Sequence, residues 1–462
     1  MKQEHISRRT FLSRLAAGAA TATLATACHE AKSHPVVAAA TDGTSEDAVP
    51  VDAMTYRTNP RTGAKVSLLG YGCMRWPSVS RNDRTIDQEQ VNHLVDYAIA
   101  HGVNYFDTAP IYHGGLSERI TGIALKRQSR ESFQIATKLS NYDQRTWGFR
   151  ESKEMYLNSF KELQVDYIDY YLLHGVGRSV EQFNTRFVDN GMLDFLLEER
   201  AAGRIRNLGF SFHGTKEAFD YALAQHERYH WDFVQIQMNY IDWRYGGRNN
   251  LTAEYLYEEL HRRNIPVVIM EPLLGGRLSK VSDHISACFK EREPSQSVAS
   301  WAFRFAGQPE GVLTVLSGMT YMEHLQDNIR TYSPLQALSA DDLVFLDRMA
   351  QLFQNYPTIP CTGCDYCMPC PYGIDIPGVF QLYNRCVNEG NVPASAEDPN
   401  YRKARRAFLV SYDRAVESIR QADHCIGCRQ CVSKCPQRIR IPAQMQRVDA
   451  LVEQLRSQTT DR

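Results

Sequence analysis

Asp107, Lys138 and His174 each close an apolar run of strand length, and Tyr112 follows Asp107 in the loop beyond. A carboxylate, an ammonium, an imidazole and a phenol on one rim could serve an oxygen that gains negative charge as a carbonyl is reduced. A free phenol has a pKa near ~10, too high for an efficient acid at neutral pH unless a cation lowers it. Lys138 beside Tyr112 would supply that cation, Asp107 would keep Lys138 charged and aimed, and a neutral His174 would orient the carbonyl. Taken singly, each has a plainer reading: a hydrogen-bonded Asp, a half-buried Tyr, a solvated strand-end Lys, a satisfied core His.

A second chemistry sits near the C-terminus. Of 12 cysteines, eight fall in Cys361-x-x-Cys364-x-x-Cys367-x-x-Cys370-Pro371 and Cys425-x-x-Cys428-x-x-Cys431-x-x-x-Cys435-Pro436. Three thiolates at two-residue gaps reach three irons of one cubane, and the distant Cys before Pro typically ligates the other cluster. Structural zinc prefers two separated Cys pairs, so two [4Fe–4S] clusters are the expectation and zinc the alternative. Cys73, Cys288 and Cys386 fit neither motif and read as packed thiols, although Cys73 follows a loop glycine that could bring it near a substrate.

Elements must position these groups. Strand-length apolar runs end near Met74, Asp107, Lys138, His174, Ser211, Asn239, Glu271 and Ser317, with helical stretches such as Gln88 to His101 and Glu151 to Leu163 between them. Eight such units predict a (β/α)8 TIM barrel with its chemistry at the C-terminal strand ends. A doubly wound sheet is the alternative, but no Gly-x-Gly-x-x-Gly follows a strand. Tyr56 and Lys65–Ser67 read as a hairpin, and Ser117 as a cap for the helix after Tyr112. Helical signals at Phe380 to Glu389 and Tyr401 to Gln421 make the C-terminal domain mainly helical. The expected division is 1–28 signal peptide, 29–52 linker, 53–355 barrel and 356–462 cluster domain.

The balance of 52 basic against 53 acidic residues argues against nucleic acid or an anionic membrane as the main partner. Ser7-Arg8-Arg9-Thr10-Phe11-Leu12 and the mild apolar run after it form a twin-arginine (Tat) export pattern. The destination would be the periplasm or cell envelope. Cys28 after Leu24-Ala25-Thr26-Ala27 resembles a lipoprotein box, which offers a lipid anchor; an Ala-x-Ala cut near Val37–Ala40 is the alternative.

Asp107-Thr108-Ala109, Tyr112, Gly115 and Ser117-Glu118, with Lys138 and His174 at the next two strand ends, resemble the aldo/keto reductase signature. The resemblance runs from about Met54 to about Tyr332. It implies that NAD(P)(H) lies across the barrel mouth. Gly72 matches a first-strand glycine, and Ser211 and Gln235 match residues that hold the carboxamide. Pro272, Leu273 and Gly275 match the pyrophosphate loop, and Gly318, Thr320, Asp327 and Asn328 the adenosine end. This chain departs from the pattern at Met270, where an aromatic usually stacks, at Phe212, and in lacking the Lys/Arg anchors for a 2′-phosphate. The reading is an exported oxidoreductase acting on a small carbonyl or alcohol, with electrons relayed by the clusters to or from an external electron carrier. The alternative is an electron-relay or ligand-sensing protein whose barrel is a non-catalytic docking scaffold.

Overall fold

The structure, a computed structural model, describes residues 49–80, 85–246, 251–393, 395 and 397–457. The twin-arginine pattern, Cys28 and residues 29–48 lie outside the described residues. Strands β1 (Tyr56–Thr58) and β2 (Lys65–Ser67) pair as an antiparallel hairpin. Eight parallel strands then close a barrel: β3 (Leu69–Gly72), β4 (Tyr105–Asp107), β5 (Gln134–Leu139), β6 (Ile168–Val176), β7 (Ile205–Phe212), β8 (Phe233–Gln237), β9 (Val267–Met270) and β10 (Val312–Ser317). Neighbours follow chain order, and β10 pairs back onto β3.

Strand periodicity places the polar side chains. Tyr105, Ala136, Tyr170, Leu172 and Phe233 share one small core inside the barrel, whereas Phe106, Ile135, Tyr171 and Leu173 belong to the larger core under the helices. Side chains alternate faces, so Asp107, Lys138, His174 and Gln235 continue the inward rows of Tyr105, Ala136, Leu172 and Phe233. Each is the inward residue at or near the end of its strand, where this architecture carries its chemistry.

The surrounding helices read as amphipathic. Helix Gln88–Ala100 is capped by Asp87, whose side chain accepts from the Gln90 amide, and it buries Val91, Leu94, Val95 and Ala98 on one stripe. Helix Ala340–Gln354, which the pattern of the chain did not announce, opens with a Ser339–Asp342 capping box and packs Leu343, Leu346 and Phe353 on the barrel core.

A second core runs from Ile359 to Leu455, and Tyr356 packs against both cores. It gathers helices Ile376–Asn388, Tyr401–Ala415 and Ile441–Ser457. The predicted Tyr401–Gln421 helix stops at Ala415. Gln421 folds back to donate to the Val416 carbonyl at 3.1 Å, and the Ala422 amide donates to the Tyr412 hydroxyl at 3.0 Å. Those bonds satisfy groups at the helix end that further helix would otherwise satisfy.

This helical unit sits on the C-terminal rim of the barrel. Arg75 donates to the Thr362 carbonyl (2.5 Å), Arg277 to the Thr358 hydroxyl (3.2 Å), Gln437 to Gln237 (3.1 Å) and Asn388 to the Lys280 carbonyl (2.6 Å). The site therefore lies between two folded units.

Candidate active site

Lys138 donates through Nζ to Asp107 Oδ1 at 2.5 Å and to the Thr108 carbonyl at 2.7 Å. Both side chains of the pair are almost fully buried, and Asp107 Oδ2 has no partner. Burial pushes the Asp107 carboxyl upward while Lys138 pulls it down. The Lys138 ammonium stands 4.9 Å from the centroid of the Tyr112 ring. The Tyr112 and His174 rings meet edge to face with centroids 5.9 Å apart. The four residues thus converge. Lys138 does not set the net direction of the Tyr112 phenol: burial, followed by the Asp107 charge, pushes it well above its ordinary range. That keeps the phenol protonated, the form a proton donor needs.

Tyr112 is held by a tight turn, Tyr112–Gly115, in which His113 and Gly114 adopt left-handed backbone angles. The His113 ring accepts from the Trp76 amide at 2.9 Å. The expected Ser117 cap is absent, because the Ser117 hydroxyl is engaged elsewhere. It donates to the Cys73 carbonyl and pairs with Thr108, both at 2.8 Å, which ties the end of β3 to the loop after β4. Cys73 itself is fully buried.

Burial, and then the charge of Lys138, drives His174 well below its ordinary pKa, so the imidazole is neutral. Its Nδ1 faces the Ser140 hydroxyl at 2.6 Å. The His174 carbonyl accepts from Arg186 at 2.9 Å. Arg186 is buried and rises from a π-helical turn, Asn184–Val188. It bonds Asn141 and stacks over the Tyr142 ring at 5.0 Å. No carboxylate pairs with it among the described residues, and burial lowers its pKa to about 10.

The residue that completes this site comes from the cysteine domain. The Tyr366 hydroxyl lies 3.3 Å from His174 Nε2 and close enough to Tyr112 to offset part of the rise in its phenol pKa. Its ring packs against His174 and Tyr142. Sequence reasoning missed Tyr366 because it looked like a spacer between Cys364 and Cys367. It missed Arg186 because nothing in the local pattern sets that arginine apart. Ser140 and Tyr142 carried a signal, since they follow directly on the end of β5.

The residues matched to a nicotinamide dinucleotide meet two different surfaces. Ser211 accepts from the Gly175 amide at 2.9 Å. Gln235 is buried with an unpartnered Oε1, as suits a group placed to meet a carboxamide. At the other end the groove is covered. A side chain added at Gly275 would strike the Thr362 backbone, and Arg75 lies over Gly318 while its carbonyl accepts from Thr320. Gly72 abuts the Ser317 carbonyl, Asp327 accepts from Ser297 and Asn328 donates to Ser317. Pro272 and Leu273 enter the turn that presents Gly275. The carboxamide end fits the group; the pyrophosphate end would accept it only with the segment around Thr362 displaced.

The eight motif cysteines frame two small cavities. One is lined by Cys361, Cys364, Cys367 and Cys435, with Ile376, Phe380 and Ile439 around them. The other is lined by Cys370, Cys425, Cys428 and Cys431. Each motif therefore lends its last cysteine to the other set, the exchange expected of a two-cluster ferredoxin. Among the described residues no three His, Cys, Asp or Glu side chains converge as ligands of a single ion. Four thiols around a void suit a cubane better than zinc.

Residues 68–349 match the aldo/keto reductase family, and residues 360–439 match the 4Fe-4S dicluster domain. The chain is 25% identical to L-galactose dehydrogenase of Arabidopsis thaliana over 61% of its own length and 88% of that protein. It is 35% identical to probable aldo-keto reductase 1 of Glycine max, spanning 32% of this chain and only 42% of that relative. Among solved structures, an aldo-keto reductase from Bacillus halodurans in its holo form superposes with a TM-score of 0.52 at 22% identity, over 65% of this chain and 96% of that one. One from Klebsiella pneumoniae, in complex with NADPH, superposes with a TM-score of 0.51 at 24% identity, over 64% and 96%.

Proposed function

The chain belongs to the aldo/keto reductase family and carries a 4Fe-4S dicluster domain, and on that footing we propose that it is an exported oxidoreductase interconverting a carbonyl and an alcohol on a small molecule. The observation that carries this reading is the meeting of Asp107, Lys138, Tyr112 and His174 at successive strand ends, with Tyr366 of the cluster loop against two of them.

Reduction of a carbonyl needs two electrons and a proton at carbon and a second proton at oxygen. Tyr112 gives that second proton. His174, neutral and steered by Ser140, holds the oxygen in line. The Lys138 ammonium, fixed by Asp107 and the Thr108 carbonyl, faces the phenol as it gains negative charge. Oxidation of an alcohol runs through the same residues in reverse. A nicotinamide, when bound, supplies or takes the hydride, with Ser211 and Gln235 at its carboxamide. The clusters, when bound, pass electrons singly to or from an external carrier. Export is supported by Ser7–Leu12, and a bound, non-exchanging nucleotide would suit a compartment without a free pool.

The second reading, a relay or sensing protein with a non-catalytic barrel, is favoured by one observation. Thr362 covers Gly275, and Tyr366 fills the position between Tyr112 and His174 that a substrate oxygen needs. Anaerobic purification with iron and sulfide counts, identification of any released nucleotide, and turnover of a carbonyl panel by wild type and Tyr112→Phe separate the two. Turnover that Tyr112→Phe does not slow would sink the catalytic reading.

A further inference from the structure

Beyond the Tyr142 and Tyr366 rings a cavity of about 250 Å³ opens between the barrel and the cluster domain. From the barrel it is walled by Tyr142, Arg178 and His213, and from the cluster domain by Tyr366, Lys434 and Arg438. No aspartate or glutamate lines it. None of the three cations forms an ion pair or a side-chain hydrogen bond among the described residues. Arg178 and Lys434 are exposed and Arg438 half-buried.

Two features of its position matter. Tyr142 and Tyr366, which form its inner wall, both pack on the His174 ring, with centroids 5.1 and 6.3 Å away. Cys435, one of the four thiols around the first cysteine cavity, forms part of the opposite wall. The pocket is therefore separated from His174 by the Tyr142 and Tyr366 rings on one side and reaches a cluster ligand on the other. Cations from two folded units converge on one space in which Cys435 is the one group that turns anionic on ligating a cluster, and an anion placed among them gains from their joint field. The arginine forks suit a carboxylate or a phosphate.

We infer that this pocket is an anion site for the substrate: the barrel takes a small carbonyl or hydroxy compound bearing a carboxylate or phosphate, with the anionic end among Arg178, Lys434 and Arg438 and the reacting oxygen toward Tyr112 and His174. The assignment of a substrate rests on the catalytic reading above; the anion site itself does not.

The test uses the anaerobic, cluster-loaded full chain, titrated calorimetrically with inorganic phosphate and separately with malonate, at ionic strength held constant with chloride. Saturable binding of either anion is expected, and the stronger one names the group. The double variant Arg178→Ala/Arg438→Ala should bind about tenfold more weakly or worse, since it removes two charge-assisted contacts from partly solvated cations. Lys434→Ala, a change at an exposed side chain, should weaken binding less and guards against misfolding of the double variant. Cluster absorbance and iron content are checked in each protein. Absence of saturable binding by both anions, or equal binding by wild type and variants, overturns the inference. So does a shift in cluster potential with anion binding unmoved, which would mean the cations serve the cluster alone. A Tyr112→Phe protein that binds phosphate normally but turns over at the wild-type rate would defeat the catalytic reading and leave the anion site standing.

Discussion

Removing either member of the buried Lys138–Asp107 pair should destabilise the barrel, and by unequal amounts. Lys138 Nζ has two acceptors, Asp107 Oδ1 and the Thr108 carbonyl, whereas Asp107 has one partner and an orphaned Oδ2. Asp107→Asn keeps the shape and leaves the ammonium with the Thr108 carbonyl and an amide oxygen. Lys138→Met leaves a carboxylate with no partner in a site closed to water. Breaking a buried ion pair typically costs about 3–5 kcal/mol; Lys138→Met should fall at the upper end of that range and Asp107→Asn at or below the lower end. The double variant should be less damaged than the sum, because no charge remains buried. Anaerobic urea unfolding followed by tryptophan fluorescence reads this through barrel residues such as Trp76, Trp231 and Trp243, all buried. A loss of about 4 kcal/mol moves the midpoint by ~1 M or more. The pH dependence supplies a further check. Burial already raises the Asp107 carboxyl, and without Lys138 it rises more. The folded Lys138→Met protein then binds a proton that the unfolded chain does not, so its deficit should shrink as pH falls below that raised pKa. A Lys138→Met protein milder than Asp107→Asn, or one whose deficit grows on acidification, would refute the reasoning.

Tyr112→Phe should keep the clusters and the fold while lowering carbonyl turnover by ~10²–10⁴-fold in steady-state assays, the usual contribution of general acid–base catalysis. Cys435→Ser should remove the cluster held by the first motif although Cys435 belongs to the second, and Cys370→Ser should remove the other; each variant would retain about four of eight irons, and electron paramagnetic resonance would show which centre remains. Tyr366→Phe keeps the ring against Tyr142 and His174 but frees the place between Tyr112 and His174, so KM for a carbonyl substrate should fall by about fivefold, near one hydrogen bond's worth. His174 is neutral in the folded protein, and burial lowers His113 and His213 to about 4. The unfolded chain therefore takes up protons first as pH drops below ~6.5, and stability should decline toward pH 4, with a shallower slope in His174→Gln.

The inward rows of the barrel were legible in the sequence. A strand that ends Tyr-Phe-Asp or Thr-Lys-Leu in an alternating pattern states which residue faces the axis, and the strand count states where those residues meet. Asp107, Lys138 and His174 could therefore be placed together from local pattern alone, and the eight cysteines named as ligands, since ligand spacing is itself a local property, whereas the set that Cys370 and Cys435 each join was decided by the fold. Small local rules failed where a competing contact won: Ser117 joins two loops instead of capping its helix, and the helix from Tyr401 ends early because Gln421 turns back on it. What only tertiary structure decided is the docking of the second unit on the rim of the first. No spacing rule brings Tyr366 to His174, Thr362 over Gly275, or Lys434 and Arg438 opposite Arg178. Those pairs lie far apart in the chain, and their meeting depends on the shapes of two finished surfaces rather than on the pattern within either.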